Sequence, residues 1–146
     1  MRIALDTNVL VSGVGTRGLC ADLIRLVLRD HQMVVGEQVL LELRRNLTKK
    51  LRLPREVANQ YDRFLRAQAV AVPHAAHAAI KGVDAGDAHV VADAVAGLAD
   101  VLVTGDRDLQ TLGARAPLPI LSPRQLWESL RRGANDIANY RREIRT

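Results

Sequence analysis

Short apolar segments that lead into an aspartate constrain the fold of this chain more than any other feature. Residues 2–5 form an apolar run that ends at Asp6, and residues 101–104 form a second run that is followed by Gly105 and Asp106. Segments with helical spacing of apolar residues separate such runs. Strands that alternate with helices predict a parallel sheet with helices on both faces. We therefore expect an α/β protein with a three-layer α/β/α architecture around a central, mostly parallel sheet.

Turn and capping residues help to place the remaining elements. Pro54 and Pro123 suit the first turn of a helix, and Ser122 suits the N-cap before Pro123. Pro119 cannot donate a hydrogen bond to a neighbouring strand, which predicts an edge position for the last strand. The predicted helices span 19–30, 37–48, 54–68, 87–98 and 123–132, and the predicted strands span 2–5, 33–35, 70–72, 101–104 and 118–121.

The chain length fits one domain with a full hydrophobic core, since 146 residues lie within the usual size range of a domain. We expect residues 1–132 to form this domain and residues 133–146 to be a loosely held tail. A single cysteine excludes a disulfide framework and a cysteine-based zinc site. No apolar run has the length of a membrane span and the first residues have no signal-peptide pattern, so we expect a cytoplasmic protein with no membrane contact.

Charge is divided unevenly along the chain, which carries a net charge of +5. Residues 84–108 contain six aspartates and one arginine, so this segment is acidic and the rest of the chain is strongly basic. A basic surface attracts polyanions such as nucleic acid, and an acidic cluster attracts cations. Aromatic residues make up only 3% of the chain, which excludes an aromatic platform for stacking bases. The uneven distribution of charge predicts a cation site surrounded by a polyanion-binding surface.

Carboxylates at strand ends are the candidate chemical groups. Ligands of open α/β sheets bind beyond the carboxyl ends of the strands, where Asp6 and Asp106 are predicted to lie. Asp87 falls at the start of an apolar helical stripe and is predicted to face the sheet, with Asp84 as the alternative. Asp93 falls off this stripe and is predicted to be exposed. Carboxylates brought together repel one another unless a cation is bound, and Mg²⁺ or Mn²⁺ prefers oxygen ligands.

Four segments of the chain together resemble the PIN domain family. They are LDTNVL at 5–10, Leu41-Glu42-Leu43, Asp87 before its apolar helix, and ADVLVTGDRDL at 99–109. The resemblance extends to about Leu130 and includes bacterial PIN proteins that are toxin components of toxin–antitoxin pairs. It implies a ribonuclease that depends on Mg²⁺ or Mn²⁺. The catalytic acids that it implies are Asp6, Glu42, Asp87 and Asp106.

The same resemblance implies further roles. Asp6, Asp87 and Asp106 would bind the metal, with Asp108 as a supplementary ligand, while Thr7, Asn8 and Thr104 would support the site through hydrogen bonds. The implied partners are RNA, a cognate antitoxin and a second copy of the chain in a homodimer. Basic residues are candidates for gripping RNA phosphates, and they are Arg17, Arg44, Arg45 and Arg107.

The sequence departs from the family pattern at the helical glutamate. Many members have Ser or Thr a few residues before it, where this chain has Gln38 and Val39. Glu42 lies about 100° from the centre of the apolar stripe of its helix, and Glu37 is the alternative acid. The family match favours Glu42.

Other functions remain open at this point. Gly13 to Gly18 spell G-x-G-x-x-G after an apolar run, with Glu37 following a second strand, as in dinucleotide-binding domains. A phospho-receiver also has acids at strand ends, although Thr7 rather than a second acid follows Asp6. The third alternative is a PIN module that binds RNA without cleaving it. The four histidines lack a zinc-ligand spacing and are predicted to lie at the surface or in loops. They are His31, His74, His77 and His89.

Overall fold

The computed structural model describes residues 1–15, 17–73 and 80–133. Within these residues, five strands form one sheet: β1 (Arg2–Leu5), β2 (Gln32–Gly36), β3 (Val70–Val72), β4 (Val101–Val103) and β5 (Ile120–Leu121). The helices are α1 (Thr7–Val14), α2 (Leu19–Asp30), α3 (Glu37–Lys49), α4 (Arg55–Gln68), α5 (Ala85–Ala96), α6 (Arg107–Gln110) and α7 (Pro123–Arg132). One 3₁₀ turn covers Gly113–Arg115.

The sheet is entirely parallel and its strand order is β3-β2-β1-β4-β5. Ile3 of β1 pairs with Met33 of β2 on one side and with Val101 of β4 on the other. The chain therefore runs outward from β1 to β3 and then returns to the centre to form β4, so that β1 and β4 flank the topological switch point. The predicted three-layer α/β/α fold is confirmed.

The central strands carry unbroken apolar side chains because helices cover both faces of the sheet. Ile3, Val101, Leu102 and Val103 are completely buried. The core around them is almost entirely aliphatic, as the low aromatic content requires. β5 lies at the edge as predicted, and the carbonyl of Pro119 accepts a hydrogen bond from the amide of Leu102 at 3.0 Å. Proline therefore contributes its acceptor to the sheet where it has no donor to offer.

Helix α1 was not predicted from the sequence. It begins directly after β1, with Asp6 as its N-cap: the amide of Thr7 donates to the Asp6 carboxylate at 2.6 Å. Val9 and Leu10 lie on the buried side of this helix. Valine, asparagine, serine and glycine have low helix propensity, so the segment has no helical signal of its own. Burial of its apolar side and the cap at Asp6 stabilise the helix instead.

The dinucleotide-binding alternative is wrong. In such a motif the glycines form the turn between the first strand and the next helix. Here Gly13 lies in the last turn of α1, and Gly15 and Gly18 lie between two helices. A Cβ at Gly13 would overlap Cδ1 of Ile24, so this glycine permits close packing of α1 against α2.

Two predictions of exposure are also wrong. Asp93 and His89 are only 2% and 3% exposed, and His89 Nε2 lies 3.4 Å from Asp93 Oδ2. Both lie on α5, which packs against β2 at Gly36. A Cβ at Gly36 would overlap the carboxylate of Asp93. The missing side chain allows the helix to approach the strand so closely that a polar pair is buried, and helical periodicity alone could not indicate this.

Gly36→Ala is therefore expected to destabilise the fold. The added methyl must displace α5 or Asp93, and overpacking of this kind typically costs about 1–3 kcal/mol. Urea unfolding measures the loss. Gly105→Ala is the matched control, since no atom lies within 4 Å of a Cβ built there. Equal stability of the Gly36→Ala protein and wild type would contradict the close packing described here.

Two predictions cannot be compared with the structure. Residues 134–146, which make up nearly all of the predicted tail, lie outside the described residues, and so do His74 and His77. Among the helices in the described part of the chain, none combines the length and apolar character needed to cross a bilayer.

Candidate functional site

Asp6 and Asp106 follow the two strands that flank the switch point. Asp6 caps α1, and Asp106 caps α6 by accepting a hydrogen bond from the amide of Asp108 at 2.8 Å. The backbone amide of Asp6 donates to the carbonyl of Val103 at 3.0 Å, so β1 and β4 stay joined up to their ends. Helix capping thus fixes the two carboxylates at the same edge of the sheet.

Thr104 connects these two aspartates. Its side chain is completely buried, and its hydroxyl donates to Asp6 Oδ2 at 2.7 Å while accepting from the amide of Asp106 at 3.0 Å. The carbonyl of Thr104 accepts from the side-chain amide of Gln110 at 2.7 Å. The role of Gln110 could not be predicted from the sequence, because its contact with Thr104 forms only when α6 folds back towards the end of β4.

Glu42 is joined to the first strand end by Thr7. The Thr7 hydroxyl donates to Glu42 Oε2 at 3.1 Å, and the Gln38 side-chain amide donates to Glu42 Oε1 at 3.3 Å. Gln38 therefore supplies a hydrogen bond in the stretch where the sequence departs from the family pattern. Glu37 instead makes a two-pronged ion pair with Arg66 at 2.6 and 2.7 Å. Of the two candidate glutamates, the structure brings Glu42 to Asp6.

Asp87 lies in the first turn of α5, as predicted. Asp84 is the N-cap of this helix and accepts from the amide of Asp87 at 2.9 Å. Partial burial raises the pKa of Asp87 to about 7, and the nearby carboxylates of Asp106, Asp84 and Asp6 contribute to the rise. α5 therefore places a third carboxylate beside the two strand ends.

Burial also raises the pKa of Asp6. The hydrogen bonds from Thr104 and Thr7 oppose this rise, whereas the charges of Glu42 and Asp106 add to it. The carboxylates of four separate elements consequently act on one another at one edge of the sheet, and excess negative charge accumulates there.

The side chains of the other predicted residues are not joined to this edge. In the described part of the chain, no hydrogen bond joins the side chains of Asn8, Arg17, Arg107 or Asp108 to the four acids, and all four of these side chains are exposed. Their roles stay predictions. Arg44 and Arg45 lie farther along α3, on the side that faces α4.

The donor set fits a hard divalent cation. Mg²⁺ keeps several water ligands and usually takes one or two carboxylates from the protein. Asp6, Asp87 and Asp106 offer such oxygens, and a cation would relieve the repulsion that adds to the effect of burial on the pKa of Asp87. Among the described residues, no three histidine, cysteine or acidic side chains are already gathered as a complete ligand set.

The metal-free protein is expected to lose stability as pH rises, because the pKa of Asp87 is about 7 instead of its ordinary 3.8. A raised pKa means that the folded state holds a proton which the unfolded chain releases. The resulting stabilisation is complete below about pH 4 and is lost by about pH 7. Asp87→Asn removes this dependence, so its melting temperature in EDTA should exceed that of wild type by more at pH 7 than at pH 4. Asp22→Asn on α2 is the control. If the melting temperatures of Asp87→Asn and wild type differ by the same amount at pH 4 and pH 7, Asp87 is not affected by burial and neighbouring carboxylates as described here.

Comparisons with known proteins agree with this architecture. No curated protein matches the chain. A chain of the crystal structure of VapBC2 from Rickettsia felis, bound to a DNA fragment from its promoter, superposes with a TM-score of 0.60 at 19% identity; the match covers 84% of this chain and 98% of that one. PAE2754 from Pyrobaculum aerophilum superposes with a TM-score of 0.57 at 17% identity, covering 86% of both chains. At these identities the two structures establish the fold alone. The sequence profile of the PIN domain matches residues 2–108, and the chain belongs to the PIN domain family.

Proposed function

We propose that this protein is an endoribonuclease that hydrolyses RNA phosphodiester bonds with Mg²⁺ or Mn²⁺. The observation that carries the proposal is the gathering of acids at one edge of the sheet: Thr104 links Asp6 to Asp106, Thr7 links Asp6 to Glu42, and Asp87 faces them from α5. PIN domains are typically nucleases, and family membership supports the same reaction class. The basic charge outside the acidic segment suits a polyanionic substrate.

Each residue has a distinct part in this proposal. Asp6, Asp87 and Asp106 hold the cation, and Asp108 supplements them. Glu42, held by Thr7 and Gln38, orients the attacking water. When bound, the cation supplies a site for water activation and for charge on the leaving oxygen. Thr104 holds Asp6 in place from its buried position. Asn8 is proposed to support the site from the exposed side of α1.

Arginines around the acidic edge are proposed to hold the RNA backbone. Arg17, Arg45 and Arg107 are exposed, and Arg44 is half-buried. Guanidinium groups bind phosphate through paired hydrogen bonds, which provides affinity without base recognition. Affinity for RNA is therefore expected to fall as salt concentration rises.

We further propose that the protein is the toxin of a toxin–antitoxin pair and binds a cognate antitoxin. The PIN family and the likeness to a chain of a VapBC2 complex support this proposal. Growth arrest on expression, relieved by the product of a small adjacent gene, is the expected result. A cytoplasmic location and association into a homodimer stay predictions, and sedimentation of the purified chain tests the latter.

A cleavage assay tests the proposed reaction. Purified protein is incubated with a mixture of single-stranded and structured RNA in Mg²⁺, in Mn²⁺ and in EDTA, beside Asp106→Asn protein prepared identically. Cleavage that requires metal and is lost in the variant supports the proposal. Equal degradation in EDTA or by the variant indicates a contaminant. Salt-sensitive RNA binding without cleavage favours the non-catalytic RNA-binding module.

A further inference from the structure

A basic cleft lies between α3 and α4, next to the acidic edge of the sheet. Its volume is about 320 Å³. Three arginines line it, Arg44 and Arg45 from α3 and Arg55 from α4, together with the polar side chains of Thr48 and Asn59. Residues 37–68, which contain both helices, hold eight basic and four acidic residues. The cleft therefore carries net positive charge.

Two acids near this cleft are already paired with arginines. Arg66 joins Glu37 to Asp62, with its Nε lying 2.8 Å from Asp62 Oδ2. Arg44 Nε lies 3.7 Å from Asp62 Oδ1, which holds that side chain against α4. This network neutralises Glu37 and Asp62 and fixes one wall of the cleft.

Arg45 and Arg55 differ from Arg44 in having no carboxylate partner within the ranges that the structure describes. Both side chains are exposed at the cleft. Two unpaired guanidinium groups on facing helices favour a ligand that presents several anionic oxygens. A phosphodiester meets this requirement, since two of its oxygens can accept the paired N–H donors of one guanidinium group.

The cleft is close to the acidic edge along α3. Arg45 follows Glu42 by three residues, and residues three apart are neighbours on a helix surface. On α3 the cleft extends from Leu41, which precedes Glu42, to Thr48, which lies roughly 9 Å beyond Glu42 along the helix axis. One RNA strand could therefore contact both the acids and the cleft.

We propose that the α3–α4 cleft binds a backbone phosphate of the RNA substrate close to the scissile bond. This inference rests on the proposed ribonuclease function. Arg45 and Arg55 contact the phosphate, and Arg44 is a positioning residue held by Asp62. The contact fixes the register of the strand over the acids and does not read base identity.

Arginine-to-glutamine variants test the cleft by binding. Arg45→Gln and Arg55→Gln are each combined with Asp106→Asn, so that RNA is not cleaved, and their affinity for a labelled single-stranded RNA is measured by fluorescence anisotropy over a salt series in Mg²⁺. Each is expected to weaken binding about two- to fivefold, as for an exposed charge contact. The slope of log K against log salt is expected to become shallower by about 0.7 for each lost phosphate contact. Arg131→Gln on α7, also exposed and changing the same charge, is the matched control and should alter neither quantity.

The outcomes separate the alternatives. Unchanged slopes for both cleft variants, or an equal change in the control, overturn the proposal. Arg45→Lys retains the charge and should retain the slope, and a slope as shallow as that of Arg45→Gln also overturns it. A glutamate oligomer that binds as tightly as RNA through the same arginines would assign the cleft to an acidic protein segment instead. If wild type binds RNA through the cleft but does not cleave it, only the proposed ribonuclease function is wrong. If wild type cleaves RNA but the salt slopes of both cleft variants are unchanged, only the proposed phosphate site is wrong.

Discussion

Asp106→Asn is expected to abolish metal-dependent RNA cleavage while leaving the metal-free protein at least as stable as wild type. The substitution removes a charge that raises the pKa values of Asp87 and Asp6. Asparagine is an equally good N-cap, and its carbonyl can still accept from the amide of Asp108. In the proposed reaction Asp106 binds the metal, and loss of its carboxylate would remove several kcal/mol of transition-state stabilisation, or about a hundredfold or more in rate.

Melting curves with and without metal complete this test. Metal at 100 times its dissociation constant stabilises the native state by about 2.7 kcal/mol, and the variant should lack most of that gain. A lower melting temperature for Asp106→Asn in EDTA, with no effect of metal on wild type, would show that Asp106 serves only as a helix cap. Asp6→Asn is a less direct test, because the Asp6 carboxylate accepts hydrogen bonds from both Thr7 and Thr104. An asparagine amide group cannot replace both acceptors.

Thr104→Val is expected to impair activity and stability together, although Thr104 contacts no substrate in the proposed reaction. Valine has nearly the same shape, but it leaves Asp6 Oδ2 without its donor and the amide of Asp106 without its acceptor. Unsatisfied buried polar groups of this kind cost about 1–3 kcal/mol. Removing a residue that orients a metal ligand typically reduces metal affinity or activity about 10–100-fold. Urea unfolding and the metal dependence of cleavage measure the two effects.

Thr111→Val is the matched control for this experiment. The Thr111 hydroxyl donates only to the carbonyl of Asp108 at 3.0 Å, and the residue is exposed. Its removal should change stability and cleavage little. If Thr104→Val lowers stability while the cleavage rate and its metal dependence remain those of wild type, the hydroxyl supports the fold and does not position Asp6 for metal.

The sequence could predict the sheet and the strand-end acids because both depend on local patterns. Apolar runs followed by Asp6 and Asp106 identify two strands and the ends at which they stop. The strand order could not be obtained in this way, since it depends on which long-range pairings form. Helix α1 was missed because its residues have low helix propensity and the helix depends on the cap at Asp6 and on burial.

The choice between acids required contacts between distant elements. Glu37 and Glu42 lie on one helix, and only the pairing of Glu37 with Arg66 on α4 and of Glu42 with Thr7 on α1 distinguishes them. Asp93 was misjudged for a related reason. Its burial depends on the absence of a side chain at Gly36, which lies 57 positions earlier in the chain but is adjacent to Asp93 in the fold.

The return of the chain to the sheet centre divides the protein into two halves, which meet at the seam between β1 and β4 and where α5 packs against β2. Asp6 and Glu42 belong to the half that contains β1, β2 and β3, whereas Asp87 and Asp106 belong to the half that contains β4 and β5. The hydrogen bond from Thr104 to Asp6 crosses this seam, joining residues 98 positions apart. Neither half carries the full set of carboxylates. The two halves could be co-expressed as separate fragments divided between β3 and α5. They would regain the complete set of carboxylates only if β1 pairs with β4, so RNA cleavage would measure the assembly of the fragments.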